Sequence, residues 1–248
     1  MDAVYDEIGH SYSVTRQPDA RIAQAIRRAL GGARTVLNVG AGTGSYEPAD
    51  LQVMAVEPSH AMIQQRPAGA APVVQAVAEH LPWADAAFDA TLAILTIHHW
   101  HNRAAGLTEM RRVARHRVVL LTWDPACGDT FWLITRYVPE ILALDVPRCP
   151  SMAELSRCLG PIEVRPVPIP HDCQDGFLGA FWRRPEAYLD PNVRRAISGF
   201  VQLPSTVVEA GMAHLAEDLH SGQWDARFGW LRARTSLDLG YRLIIAPL

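Results

Sequence analysis

The chain contains no lysine; all 23 of its basic side chains are arginine. A phosphate-binding P-loop lysine, a Schiff-base lysine for pyridoxal phosphate and a lysine general base are thereby excluded. Proton transfer is left to His, Asp, Glu, Tyr and Cys. Paired cysteines are missing too, since Cys127, Cys149, Cys158 and Cys173 stand apart with no CxxC spacing, which argues for reduced thiols and against a zinc knuckle or disulfide framework. No apolar run approaches the roughly 18 to 20 residues that cross a bilayer, and MDAVYDEIGH lacks the charged-then-apolar plan of a signal peptide. There is no basic excess either: net charge is −3 and the pI about 6.4, against a nucleic-acid partner, which needs a concentrated basic face. The expectation is a soluble, cytoplasmic protein, monomer or homodimer, with no membrane or nucleic-acid partner and a small-molecule ligand.

What is present is ample apolar material, 49% of 248 residues, with a mean hydropathy of zero. Ile22, Ala25, Ile26, Ala29 and Leu30 recur at helical spacing, opened by Pro18 and Asp19 and closed by Gly31. Short β-branched runs then alternate with turns and helical stretches: Thr35 to Val39, Val53 to Val56, Pro72 to Val74, Ala90 to Ile97 and Val118 to Thr122. Near-continuous apolar strands of this kind suit a parallel sheet covered on both faces, so the fold class is α/β, a doubly wound unit. A crossover helix over Asn102 to Ala114 puts Leu107, Met110 and Val113 on one stripe.

Beyond Asp124, Asp129 or Thr130 can cap a helix carrying Phe131, Trp132, Ile134, Tyr137 and Val138, which Pro139 kinks or restarts. Ile162 to Ile169 reads as a strand whose prolines fit a sheet edge. Ser205 caps a helix with Val208, Met212, Leu215 and Leu219 on its core stripe and Gly222 past its end, and Leu239 to Ala246 reads as a last strand.

The first strand runs into VLNVGAGTGSYEP, which places Gly40, Ala41, Gly42 and Gly44 at a strand's carboxyl end, where open α/β sheets bind ligands. A dinucleotide fingerprint needs glycine three positions after Gly42, but Ser45 stands there, and Pro48 cuts short any helix that would cradle a pyrophosphate. At the end of the second strand, in VMAVEPS, Glu57 can accept two charge-assisted hydrogen bonds from a ribose diol, with Pro58 beside it.

The GxGxG spacing, the acid after the second strand and the stretch AEHLPWADAAFDATLAILTIHHW together resemble the class I S-adenosylmethionine-dependent methyltransferases, in the small-molecule branch (methyltransferase type 11-like). The match spans roughly residues 30 to 124, about half the chain. The resemblance implies a Rossmann-like doubly wound seven-stranded sheet, with an N-terminal helical lid and helical insertions after the fifth and sixth strands. A single domain over 1–248 would comprise a lid (1–33), a cofactor-binding core (34–124), acceptor-covering insertions (125–160 and 171–235) and a last strand (236–248). It further implies S-adenosylmethionine as cofactor, adenine beside Ala78 and Glu79, and the sulfonium near Leu95 and Thr96. Tyr12 and Arg16 fall where relatives carry a lid across the cofactor; Arg16 could pair with the methionine carboxylate or stand solvated on a leader. The chain departs from the family pattern at three places. Asn38 stands where an acid usually precedes the first glycine, Val77 where an aspartate often meets the adenine amino group, and ARHRVVLLTW where a Pro-Gly-Gly turn is usual.

Methyl transfer is an in-line displacement, so a protein mainly aligns the partners and excludes water. His98 and His99, just after the fourth strand, can act as base or positioning group, or can simply pack and cap the next helix. Three histidines in four positions also raise a metal site, but loop neighbours seldom converge on one ion and no carboxylate stands beside them at helical spacing; no metal is expected. Trp100, Trp123, Trp132, Tyr137 and His171 are the candidates for holding the acceptor, against the reading that such aromatics form core. Methyl transfer to a small organic acceptor, possible in secondary metabolism, thus stands beside two alternatives: a cofactor-binding cyclase or regulatory module, and an NAD-dependent oxidoreductase.

Overall fold

A computed structural model describes residues 16–248; the candidate Tyr12 lies outside them. The strands are β1 (Thr35–Val39), β2 (Gln52–Val56), β3 (Val73–Val74), β4 (Phe88–Ile94), β5 (Ala114–Trp123), β6 (Glu163–Pro166), β7 (Ile169–Pro170), β8 (Ser236–Leu237) and β9 (Tyr241–Pro247). Seven of them form one sheet in the order β3-β2-β1-β4-β5-β9-β6, and β7 pairs with β8 in a two-stranded sheet. The first five are parallel, β9 runs antiparallel between β5 and β6, and the proline-rich β6 takes the edge. The order reverses between β1 and β4, so a crevice opens at their carboxyl ends.

The helices are α1 (Ala20–Leu30), α2 (His60–Gln64), α3 (Arg103–Val113), α4 (Pro139–Asp145), α5 (Met152–Leu159), α6 (Pro191–Arg195), α7 (Ser198–Val201), α8 (Ser205–His220) and α9 (Gln223–Phe228). Alternation along the strands sends Leu37, Val118, Leu120 and Ile244 to one core with α3 and α5, and Val36, Val119, Leu121 and Ile245 to the other with α1. Each element begins where the chemistry dictates. Asp19 accepts from the Arg21 amide to cap α1, Asn102 from Ala105 to cap α3, and Ser151 from Glu154 to cap α5. Pro139 opens α4, restarting the chain after a π-turn over Leu133–Tyr137. That π-turn, preceded by a 3-10 turn over Pro125–Thr130, replaces the single helix expected after Asp129.

In the stretch 20–30, Ile22, Ile26, Ala29 and Leu30 are buried, and α1 packs against β5 and β9 as a layer of the fold. Within 125–160, α5 buries Leu155 and Leu159 beside α3, in the core on the face of the sheet opposite α1. The strand expected over 162–169 divides between β6 and β7, which belong to different sheets. Among the described residues no helix is long and apolar enough to cross a membrane.

Candidate active site

Positive φ recurs at every second residue of the loop after β1: Gly40 (69°), Gly42 (53°), Gly44 (94°) and Tyr46 (65°). The alternation folds the loop back so that the Gly40 and Ala41 amides both donate to the Val56 carbonyl at 2.9 Å. Glycine is required at 40, where a Cβ would stand 2.2 Å from the Thr96 hydroxyl. No helix follows the loop. Tyr46 tolerates its strained backbone because its hydroxyl donates to Asp175 at 2.8 Å and accepts from the Asp19 amide at 3.3 Å.

Glu57 closes the far side. It is buried, and its two oxygens accept from the amides of Gly42 (2.8 Å) and Ser59 (2.9 Å), which fixes the plane of the carboxylate. Asn38, at the end of β1, donates its amide to Glu47 at 3.2 Å, an orientation only the NH₂ group can satisfy. Among the described residues its Oδ1 is then a buried acceptor with no partner. Glu47 also takes Arg66 (2.7 Å) and the Ala71 amide (3.0 Å). The acid missing at position 38 thus reappears at 47, already neutralised.

Asn38, Gly40, Gly42, Tyr46 and Glu57 line a cleft of about 2520 Å³, counted out to solvent, together with Pro58, Val77, Ala78, Glu79, His99 and Trp100. Beside it lies a smaller chamber of about 820 Å³ including its mouth, walled by Trp123, Phe131, Ile134, Phe177 and Tyr241, with His98 and Asp145. Arg16 and Leu95 line both cavities. Leu95, at the end of β4, has a φ of 50°. Arg16 is clamped by Asp175 at 2.6 Å, so its fork is engaged within the protein.

The sequence of a family described as a methyltransferase domain matches residues 37–122. A solved protein of Anabaena variabilis, described as a methyltransferase from an antibiotic biosynthesis pathway, shares 36% identity, superposes with a TM-score of 0.86, and the match covers 94% of this chain and 99% of that one. The chain belongs to the S-adenosylmethionine-dependent methyltransferases. Two more distant structures share the fold: the YcgJ protein of Bacillus subtilis (18% identity, TM-score 0.55, 92% and 97% covered) and a protein of Bacillus halodurans described as a methyltransferase (14%, 0.53, 91% and 97%). No protein of curated function matches the chain.

Within the methyltransferase, Gly40, Ala41, Gly42, Glu57, Pro58, Ala78 and Glu79 converge on the large cleft, while Gly44 lies behind the loop near Glu47 and Arg66. Glu79 accepts from the Asn102 amide at 2.9 Å, and Val77, 43% exposed, presents an apolar side chain to the cleft. The two histidine rings lie 3.9 Å apart but face different cavities, His98 the chamber and His99 the cleft. Burial pushes both imidazoles down, His98 well below the ordinary range and His99 to about 4. Among the described residues no cluster of three or more His, Cys, Asp or Glu side chains could hold a metal.

Of the acceptor candidates, only Trp123 lines the chamber, held by its Nε1 donating to Leu239 O at 2.9 Å. Trp100 belongs to the large cleft and packs on Gly106. Trp132 and Tyr137 line neither cavity. Each carries a polar atom that must be satisfied, and each satisfies it in the core: Trp132 Nε1 donates to Trp182 O (2.8 Å) and the Tyr137 hydroxyl to Asp218 (2.8 Å). His171 is also outside both, its amide paired to Thr235 O beside β7 and β8. Phe131 and Ile134, from the same predicted stripe, take the chamber instead. Asp145, Asp175, Tyr241 and the Glu47–Arg66 pair carry no local sequence signal and were missed.

Proposed function

We propose that this methyltransferase binds S-adenosylmethionine in the glycine-loop cleft and methylates a small organic acceptor held in the adjoining chamber. The observation that carries the reading is the pair of cavities meeting at Leu95 and Arg16, one polar with carboxylate and amide acceptors, the other walled by aromatic and aliphatic side chains. The likeness to the Anabaena variabilis protein supports an acceptor from secondary metabolism.

The residues fit the cofactor. Glu57 would accept from the ribose hydroxyls, and the unpartnered Asn38 Oδ1 would accept from the ammonium end, in place of the family's acid. Val77, Ala78 and Glu79 would flank the adenine. The bound cofactor supplies an electrophilic methyl group on a cationic sulfur. Leu95 presents apolar surface between the cavities and excludes water, which favours displacement over solvent reaction. His98, kept neutral by burial, adds no repelling charge near the sulfonium. Its lone-pair ring nitrogen can hold the proton of an acceptor O–H or N–H, orienting the heteroatom.

Isothermal titration with S-adenosylmethionine and S-adenosylhomocysteine tests the cofactor site. Saturable micromolar binding, weakened at least about tenfold in Glu57→Ala through loss of charge-assisted acceptors, is expected. Absence of binding to the intact protein refutes the assignment.

A further inference from the structure

We propose that the acceptor is an amine, bound in the chamber as its ammonium ion by the carboxylate of Asp145; where that nitrogen is itself the methylated atom, it first gives one N–H proton to the same carboxylate, and the lone pair so freed takes the methyl group as S-adenosylhomocysteine leaves. The inference rests on reading the chamber as the acceptor site and adds the substrate's chemical class.

Asp145 is the last residue of α4 and lines the chamber. Among the described residues no hydrogen-bond donor or ion-pair partner reaches its carboxylate. The charged and titratable groups around it come from every side: Arg148 and Cys149 from the following turn, Tyr241 from β9, His98 after β4, and Arg16. Only Arg148 favours its charge, and by less than burial disfavours it. Arg148 bonds Gln202 through its side chain, and Arg16 is held by Asp175. The position is also unfavourable for an anion, because the carbonyl end of a helix carries partial negative charge. Burial accordingly lifts the carboxyl to about 6, yet above that pH it stays ionised.

An ionised carboxylate in a largely apolar cavity, without a partner, is a group waiting for a cation. The other walls agree. Trp123, Phe131, Phe177 and Tyr241 offer four aromatic rings to the same space, and ring faces attract an ammonium far better than an anion. A carboxylate acceptor would meet repulsion from Asp145 and from the rings. A neutral alcohol would leave the charge of Asp145 uncompensated.

The experiment is calorimetric titration, at about pH 7.5 where Asp145 is ionised, of matched probes: phenethylamine, phenethyl alcohol and hydrocinnamate, then tryptamine, tryptophol and indolepropionate. The full chain is used, saturated with S-adenosylhomocysteine. Each amine should bind at least about tenfold tighter than its alcohol, and more so than its carboxylate. Asp145→Asn should erase that preference and Asp145→Glu should keep part of it, with thermal melts confirming that both variants fold. The proposal is overturned if alcohols or carboxylates match the amines, if the preference survives in Asp145→Asn, or if neither amine binds. Failure of S-adenosylhomocysteine to bind would sink the cofactor reading, whereas its binding without an amine preference sinks this inference alone.

Discussion

Removing the charge of Asp145 should make the empty enzyme more stable. Its carboxyl is raised from 3.8 to about 6, because burial disfavours the charged form more than Arg148 favours it. A carboxyl whose folded value exceeds its unfolded value binds more protons in the native state between about pH 4 and 6, so stability falls as pH rises through that window and stays reduced above it. Each unit is worth about 1.4 kcal/mol, which sets a ceiling of about 3 kcal/mol for the shift. Solvent at the chamber mouth screens part of this, leaving about 1–2 kcal/mol. Asparagine has nearly the same shape and forfeits no hydrogen bond, since the carboxylate makes none. Asp145→Asn should therefore melt about 2–6 °C higher than the wild type near pH 7.5. Near pH 3.5, below both the unfolded and the folded value, the two should nearly coincide. Scanning calorimetry across that range decides it. A variant that is less stable at neutral pH, or a difference that does not change with pH, refutes the argument that Asp145 is an uncompensated charge.

Gly40→Ala should destabilise the fold by about 1–3 kcal/mol, because it combines a left-handed φ with a clash on Thr96, and should abolish cofactor binding; denaturant titration and calorimetry read both. Trp132→Phe should lower the melting temperature through the lost bond to Trp182 O, by about 1 kcal/mol or more, while leaving the acceptor KM unchanged. Phe131→Ala should do the reverse in part, raising the acceptor KM through a lost chamber wall; equal effects of the two on KM would contradict the division of the rings. Because both histidines are held neutral, the methyl-transfer rate should show no inflection near the ordinary histidine value between about pH 6.5 and 8 that His98→Asn removes.

Local patterns exposed most of the cofactor half. The β1 run, the alternating glycines, Glu57 after β2, and the α3 stripe are each written within a dozen residues, and each lies where its pattern implies. The absent Pro-Gly-Gly turn is explained as plainly, because α3 passes into β5 with Val113 and Ala114 adjacent and no loop between them. Long-range pairings were not legible. Nothing in YRLIIAP announces that β9 enters antiparallel between β5 and β6, since an apolar run has the same appearance in either direction. The charge lost at Asn38 is answered by Glu47 and Arg66, whose relation exists only once the loop is folded. Choosing among the aromatics after β5 failed for a related reason. The polar atoms of Trp132 and Tyr137 invite a ligand on paper, yet their partners, Trp182 O and Asp218, lie far along the chain.

That division of the rings bears on how the enzyme could change its substrate. Trp132, Tyr137, Trp182 and Tyr188, all hydrogen-bonded, are turned into the scaffold, whereas the chamber is lined by two hydrogen-bonded rings, Trp123 and Tyr241, and by Phe131, Ile134, Ile197 and Leu178, which have no side-chain polar atoms. Exchanging the latter breaks no buried hydrogen bond. The lining can be recut for a differently shaped acceptor while the frame that supports it is left intact, so specificity in this chain is free to drift at little risk to folding.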